Sequence, residues 1–116
     1  MVYGCKSHVT IIVFAKSLKL MFYVYVLISL KDKKFYIGFT KDLKRRLKEH
    51  NSGKNISTKS RLPFELIYYE SHLSKADAER REKYFKTTKS KSTLKQMLRE
   101  SLRNFAAKNQ ALPIEF

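Results

Sequence analysis

Apolar and polar positions along this chain follow two rhythms. From Phe22 to Leu30 nearly every residue is β-branched, aromatic or aliphatic, which predicts a strand buried on both faces. Lys31-Asp32-Lys33-Lys34 is a polar run of hairpin length, and Phe35 to Phe39 resumes the β pattern, so an antiparallel pair is expected. Thr40 or Asp42 can cap the segment that follows, where Leu43, Arg46, Leu47 and His50 recur at helical spacing until Asn51-Ser52-Gly53. Lys54 to Arg61 reads as a basic, hydroxyl-rich loop. Pro63 then leads into a third strand from Phe64 to Glu70, at a place where its missing N–H does little harm.

Ser74, with Asp77 three residues on, signals the start of a helix running to about Lys86. Thr87 to Ser92 reads as a polar, basic break. A last helix spans Thr93 to about Phe105, with Leu94, Met97, Leu98 and Leu102 on one stripe. The element order is β-β-α-β-α-α, an α+β class. Residues 9–14 can form a short edge strand, yet Met21 is followed at once by the strongest strand of the chain. Residues 1–20 therefore read as an N-terminal extension from an upstream start, 21–105 as the domain, and 106–116, with Pro113, as a loose tail.

Composition narrows the class. The chain has 116 residues, enough for one modest core and too few for two. With 43% hydrophobic and 13% aromatic residues it is a folding sequence. Its 25 Lys and Arg against 10 Asp and Glu leave a net charge of +15. Such an excess repels itself in the folded state, so a polyanionic partner is expected, nucleic acid before an anionic membrane surface. Cys5, the one cysteine, allows no internal disulfide, which makes a reducing compartment the default. The apolar stretch Val9 to Ala15 is too short for a membrane span, and the cytoplasm is the expected location.

Several side chains do not fit a purely structural pattern. On a helical wheel Arg46 and His50 share the face of Leu43 and Leu47, whereas Lys44, Arg45 and Lys48 point elsewhere. A guanidinium on a core-facing stripe either snorkels to solvent or needs an anion. Asp42 and Glu49, the local acids, face differently. Glu82 lies on the stripe of Ala78 and Phe85, where it either pairs with Lys86 or serves a divalent cation beside a phosphate site. Tyr23, Tyr25 and Tyr36 suit a core with hydroxyls at the sheet edge, and Tyr25 and Tyr36 on neighbouring strands can face the same side. A phenol becomes a base only where a cation stabilises its phenolate.

Val24-Tyr25-Val26-Leu27, then Phe35-Tyr36-Ile37-Gly38-Phe39-Thr40, then the run from Asp42 to Asn51, together resemble the GIY-YIG endonuclease superfamily. They are most similar to its small stand-alone bacterial members, related to the amino-terminal nuclease domain of the UvrC excinuclease. The likeness covers Met21 to Lys91. It implies a three-stranded antiparallel sheet flanked by helices. It also implies Tyr25 and Tyr36 as the motif tyrosines, Gly38 as the motif glycine, Arg46 as the helix arginine, His50 as the histidine one turn later, and Glu82 as the metal-binding glutamate. The reaction implied is hydrolysis of a nucleic-acid phosphodiester, DNA before RNA, with one Mg²⁺ or Mn²⁺. Arg46 would bind the scissile phosphate, and the base would be found among Tyr25, Tyr36 and His50. The first motif begins with Tyr23 where the family has glycine, and near Glu82 only Thr87, Thr88 and Ser90 stand where some members place a supporting asparagine.

Lys41, Lys44, Arg45, Lys48, Lys54, Lys59 and Arg61 are candidates to track phosphates, which positions a backbone without reading its sequence. No appended DNA-reading motif is present, so structure-directed or weakly selective cutting is expected, with a role in repair or recombination and targeting supplied by a partner protein. The competing readings are a non-catalytic nucleic-acid-binding module that uses the same groove and a basic structural protein of a ribonucleoprotein.

Overall fold

A computed structural model describes residues 20–109. The expectations for the segment before Leu20, the edge strand over 9–14 included, and for 110–116 lie outside the described residues. Strand β1 (Phe22–Ser29) is the middle of a three-stranded sheet, with β2 (Phe35–Thr40) on one side and β3 (Phe64–His72) on the other, both antiparallel to it. Every residue from Val24 to Ser29 is buried, as the unbroken apolar run requires of a central strand.

Alternation of side chains splits β1 between two cores. Val24, Val26 and Ile28 join Ile37 of β2 on one face, while Tyr25 and Leu27 join Phe64 on the other. The pairing of β1 with β3 shifts register between Val26 and Leu27, so that Leu27 opposes Leu66 and Val26 opposes Tyr68. The extra residue, Ile67, is a bulge that sends Phe64 and Leu66 to one face and Tyr68 to the other. Without it, three aromatic or aliphatic residues spaced by two would crowd a single side.

Helix α1 (Leu43–Asn51) covers the Tyr25 face. Asp42 caps it by accepting from the Arg45 N–H at 3.1 Å, which decides between the two candidate caps. The opposite face is covered by α2 (Lys75–Phe85), α3 (Thr88–Met97) and α4 (Arg99–Lys108). Ser74 caps α2, as expected. The C-terminal region differs from the sequence reading. Thr87 is itself a cap, accepting from the Ser90 N–H at 3.2 Å, so the polar break is the first turn of α3. The last helix is two helices that meet at Leu98. Leu94, Leu98, Leu102 and Phe105 bury one continuous stripe across that junction, Met97 is exposed, and helix continues through Lys108, past the expected end of the domain. The apolar period runs unbroken through Leu98, and neither Gly nor Pro marks the change of axis.

The hairpin joining β1 to β2 is tied to the loop before β3. Arg61 donates to Asp32 through Nε at 2.6 Å and to the Lys34 and Phe35 carbonyls at 3.1 and 3.3 Å. Ser29 Oγ donates to the Arg61 carbonyl at 2.6 Å. This clasp holds the segment after α1 against the sheet.

Candidate active site

Tyr25 and Tyr36 stand on one face of the sheet. Cα pairing sets Tyr25 opposite Gly38 and Tyr36 opposite Leu27, a diagonal arrangement that brings the two rings to 6.4 Å. Gly38 makes it possible. A Cβ there would lie 2.3 Å from both Cζ and the hydroxyl of Tyr25. The motif glycine is a seat for the motif tyrosine.

α1 lowers His50 onto the same face. Its side chain is fully buried, with ring centroids 5.1 Å from Tyr36 and 5.8 Å from Tyr25. Nε2 is 2.8 Å from the Tyr25 hydroxyl and Nδ1 is 2.8 Å from Thr58 Oγ1. Thr58 in turn donates to the Asn55 carbonyl at 3.4 Å. Since the threonine proton is spent on that carbonyl, Thr58 accepts from Nδ1–H, and Nε2 keeps a lone pair for the Tyr25 proton. The directed chain Tyr25 to His50 to Thr58 to Asn55 thus sets the tautomer. Thr58, fully buried, is the member that sequence reasoning missed. Its signal was no more than a hydroxyl-rich loop.

Burial, Arg46 and Glu49 set the electrostatics. Burial pushes the Tyr25 phenol well above its usual range; Tyr36 raises it further, Arg46 opposes, and Glu82 and Glu49 add smaller upward pushes. Burial, reinforced by Arg46, holds His50 below the ordinary histidine value, against a smaller pull from Glu49. At neutral pH Tyr25 is therefore protonated and His50 neutral.

Arg46 is the anion-seeking group. Its side chain is one-third exposed, and Nη1 lies 3.6 Å from Glu49 Oε1, so the expectation that Glu49 faces away is corrected: one helical turn lets the longer side chains curl together. The contact leaves Nε buried with no hydrogen-bond partner among the described residues. A buried guanidinium N–H without an acceptor is costly, and its charge acts on both Tyr25 and His50.

Glu82 approaches from α2, which packs against β1 and the edge strand β2. It is mostly covered, 22% exposed, and pairs with Lys86 at 3.1 Å. No group of three or more His, Cys, Asp or Glu that could hold a metal occurs among the described residues. One carboxylate does fit Mg²⁺, a hard ion that keeps several waters and takes much of its shell from substrate phosphates.

Of the expected phosphate-tracking set, Lys41, Lys44, Lys48, Lys54 and Lys59 are exposed. Arg45 is exposed but balanced by Asp42 and Glu49 at 3.8 and 3.5 Å. Arg61 departs most, because its guanidinium is committed to Asp32 and two carbonyls of the hairpin. No described helix is long and apolar enough to cross a membrane.

Two tyrosines on paired strands, an arginine and a histidine one turn apart on the next helix, and a glutamate from the following helix are the residues expected from the resemblance to the GIY-YIG family. The chain belongs to that family: the family model of the GIY-YIG catalytic domain matches residues 21–96. The chain is 47% identical over 68 residues to a UPF0213 protein of Streptococcus pneumoniae, covering 58% of this chain and 68% of that one. It is 48% identical over 71 residues to a UPF0213 protein of Streptococcus pyogenes, covering 60% and 76%. Among solved structures, the solution NMR structure of the UPF0213 protein BH0048 from Bacillus halodurans is 38% identical, covers 66% of this chain and 84% of that one, and superposes with a TM-score of 0.45.

Proposed function

We propose that this chain is an endonuclease that hydrolyses DNA phosphodiester bonds with the help of one divalent cation, structure-directed or weakly selective in sequence, and that it acts in repair or recombination. The observation that carries the proposal is the buried Arg46 Nε, without a partner among the described residues, on a guanidinium whose charge acts on the Tyr25–His50 pair. A phosphate oxygen is the acceptor that would complete it, and the guanidinium would meet the charge that grows as water adds to phosphorus.

The covered Tyr25 cannot hold a phenolate, so it passes a proton on. In the proposed step its hydroxyl takes the proton of the attacking water as it gives its own to His50 Nε2, whose lone pair the Thr58 contact holds ready. Tyr36, half-buried with its ring against His50, orients water and phosphate at the mouth of the site. A divalent ion there supplies Lewis-acid stabilisation of the leaving oxygen. Glu82 is the residue that would hold it, in exchange for the Lys86 pair. The exposed lysines of α1 and the loop after it position the backbone.

The test is cleavage of supercoiled, nicked, flapped and branched DNA with and without Mg²⁺ by wild type, Arg46→Ala and Glu82→Ala, with preparations matched for folding and freed of contaminating nuclease. Metal-dependent cutting that falls by about 10²–10³-fold in Arg46→Ala and is lost in Glu82→Ala while binding survives is the expected result. Binding without cutting under every condition would replace this reading with that of a nucleic-acid-binding module.

A further inference from the structure

A second set of cations converges on a hollow that the tyrosine site does not use. It has a volume of about 1060 Å³ and lies between the end of the β1–β2 hairpin and the outer sides of α3 and α4. Lys33 and Lys34 enter from the hairpin, Lys91 and Lys95 from α3, Arg99 and Arg103 from α4. The remaining charges in the wall, Arg61 and Asp32, neutralise each other. Glu100 holds Arg103 at 2.6 Å, whereas the side chains of Lys34, Lys91 and Lys95 are in no ion pair among the described residues.

The arrangement works against the helices that carry it. Lys91 with Lys95 and Arg99 with Arg103 are like charges at i,i+4, a spacing that destabilises a helix, and both pairs border the space that the hairpin lysines enter. Small-molecule pockets of this size are mostly apolar with a few convergent polar groups. Here, apart from the Asp32–Arg61 pair, the charged groups that line the hollow are all cationic, which suits a polyanion.

Its location separates it from Arg46. Ile28 of the cleft wall and the neighbouring Phe35 belong to the core face covered by α2–α4, while Tyr25 and Tyr36 belong to the face covered by α1. We propose that the cleft is a second phosphate-backbone site, seating an arm of nucleic acid distinct from the one that meets Arg46. Bent or branched molecules can then touch both faces of the sheet at once, and a short straight duplex only one. The inference rests on nucleic acid being the substrate.

The experiment measures binding of fluorescent linear and three-armed DNA, with divalent ions chelated, across a salt series. It compares wild type with the triple variant Lys34→Gln, Lys91→Gln, Lys95→Gln, whose exposed, unpaired side chains leave the fold intact, as a melting curve checks. Loss of three phosphate contacts should weaken three-armed DNA about a hundredfold near physiological salt and flatten the slope of log K against log salt by about 2 to 3. Equal affinity and slope in wild type and variant overturn the cleft alone, with DNA binding by both proteins leaving the proposed nuclease reading standing. Failure of wild type to bind any nucleic acid overturns that reading and the cleft with it. Parallel arms use tripolyphosphate and anionic vesicles. Loss of either interaction in the variant, with DNA binding untouched, assigns the cleft to another anion and refutes the proposal.

Discussion

Gly38→Ala tests the geometry of the site more sharply than any charged substitution. The added methyl would sit 2.3 Å from Tyr25 Cζ and hydroxyl and 2.8 Å from Cε1, closer than carbon atoms tolerate. The Tyr25 ring cannot swing away cheaply, since it is 1% exposed, faces Tyr36 and His50 with centroids at 6.4 and 5.8 Å, and is anchored by a 2.8 Å hydrogen bond. Overpacking of a tight core costs about 1–3 kcal/mol, and loss of the bond to His50 adds about 1 kcal/mol. Relief of glycine's backbone entropy returns about 0.5–1 kcal/mol. The net destabilisation is about 1–3.5 kcal/mol, which for a domain of this size lowers Tm by roughly 5–25 °C. Thermal and denaturant melts of Gly38→Ala, Tyr25→Ala and the double variant form the assay. In the Tyr25→Ala background the three contacts under 3 Å are gone, so the Gly38→Ala penalty should shrink markedly there. The reasoning is refuted if the single variant melts within a degree or two of wild type, or if its penalty is the same with and without the Tyr25 ring.

Four further outcomes follow from the structure. Thr58→Val leaves the buried Nδ1–H of His50 without its acceptor, which should cost about 1–3 kcal/mol and depress cleavage, with Thr58→Ser restoring both; a silent Thr58→Val in melts and single-turnover assays would contradict the assigned tautomer. In the proposed step His50 acts when neutral, and it is held below the ordinary value near 6.5, so cleavage should rise with pH to a half-maximum under that value and stay level through neutrality; a midpoint above 7 would rule the assignment out. Folding stability responds to the same group, undiminished above about pH 6.5 and lost as pH falls below it, because the unfolded histidine protonates first; His50→Gln should flatten that slope in pH-dependent melts. Arg61→Ala should lower stability by about 1–2 kcal/mol through the lost hairpin clasp while changing the salt slope of DNA binding by well under one contact; a drop of about 0.9 in that slope would return Arg61 to the phosphate-tracking set.

What the sequence made legible and what it hid divide along the reach of each interaction. The β1 run, the Asp42 and Ser74 caps and the stripe holding Arg46 and His50 depend on neighbours within about four residues, and the local pattern carries them. The bulge at Ile67 depends on which face of β1 needs an aromatic partner, a fact of pairing that β3 does not contain. Thr58 was hidden for the same reason: eight residues separate it from His50 across a loop without period, and long-range contacts, the Arg61 clasp onto Asp32 twenty-nine residues away among them, hold that loop against the hairpin. Arg61 also shows why a basic loop misleads when read by charge alone, since one arginine among the surrounding lysines is the bidentate donor that a carboxylate and two carbonyls can hold. The lysines offer point charges free to follow a phosphate; the planar fork is spent on architecture. By the same logic the orphaned Nε of Arg46 is informative, because a guanidinium that makes an ion pair with Glu49 through one nitrogen has kept another buried and unmatched among the described residues. No acceptor among the described residues completes it, which makes this unmatched donor the strongest link between the local pattern on α1 and the proposed chemistry of a phosphodiester.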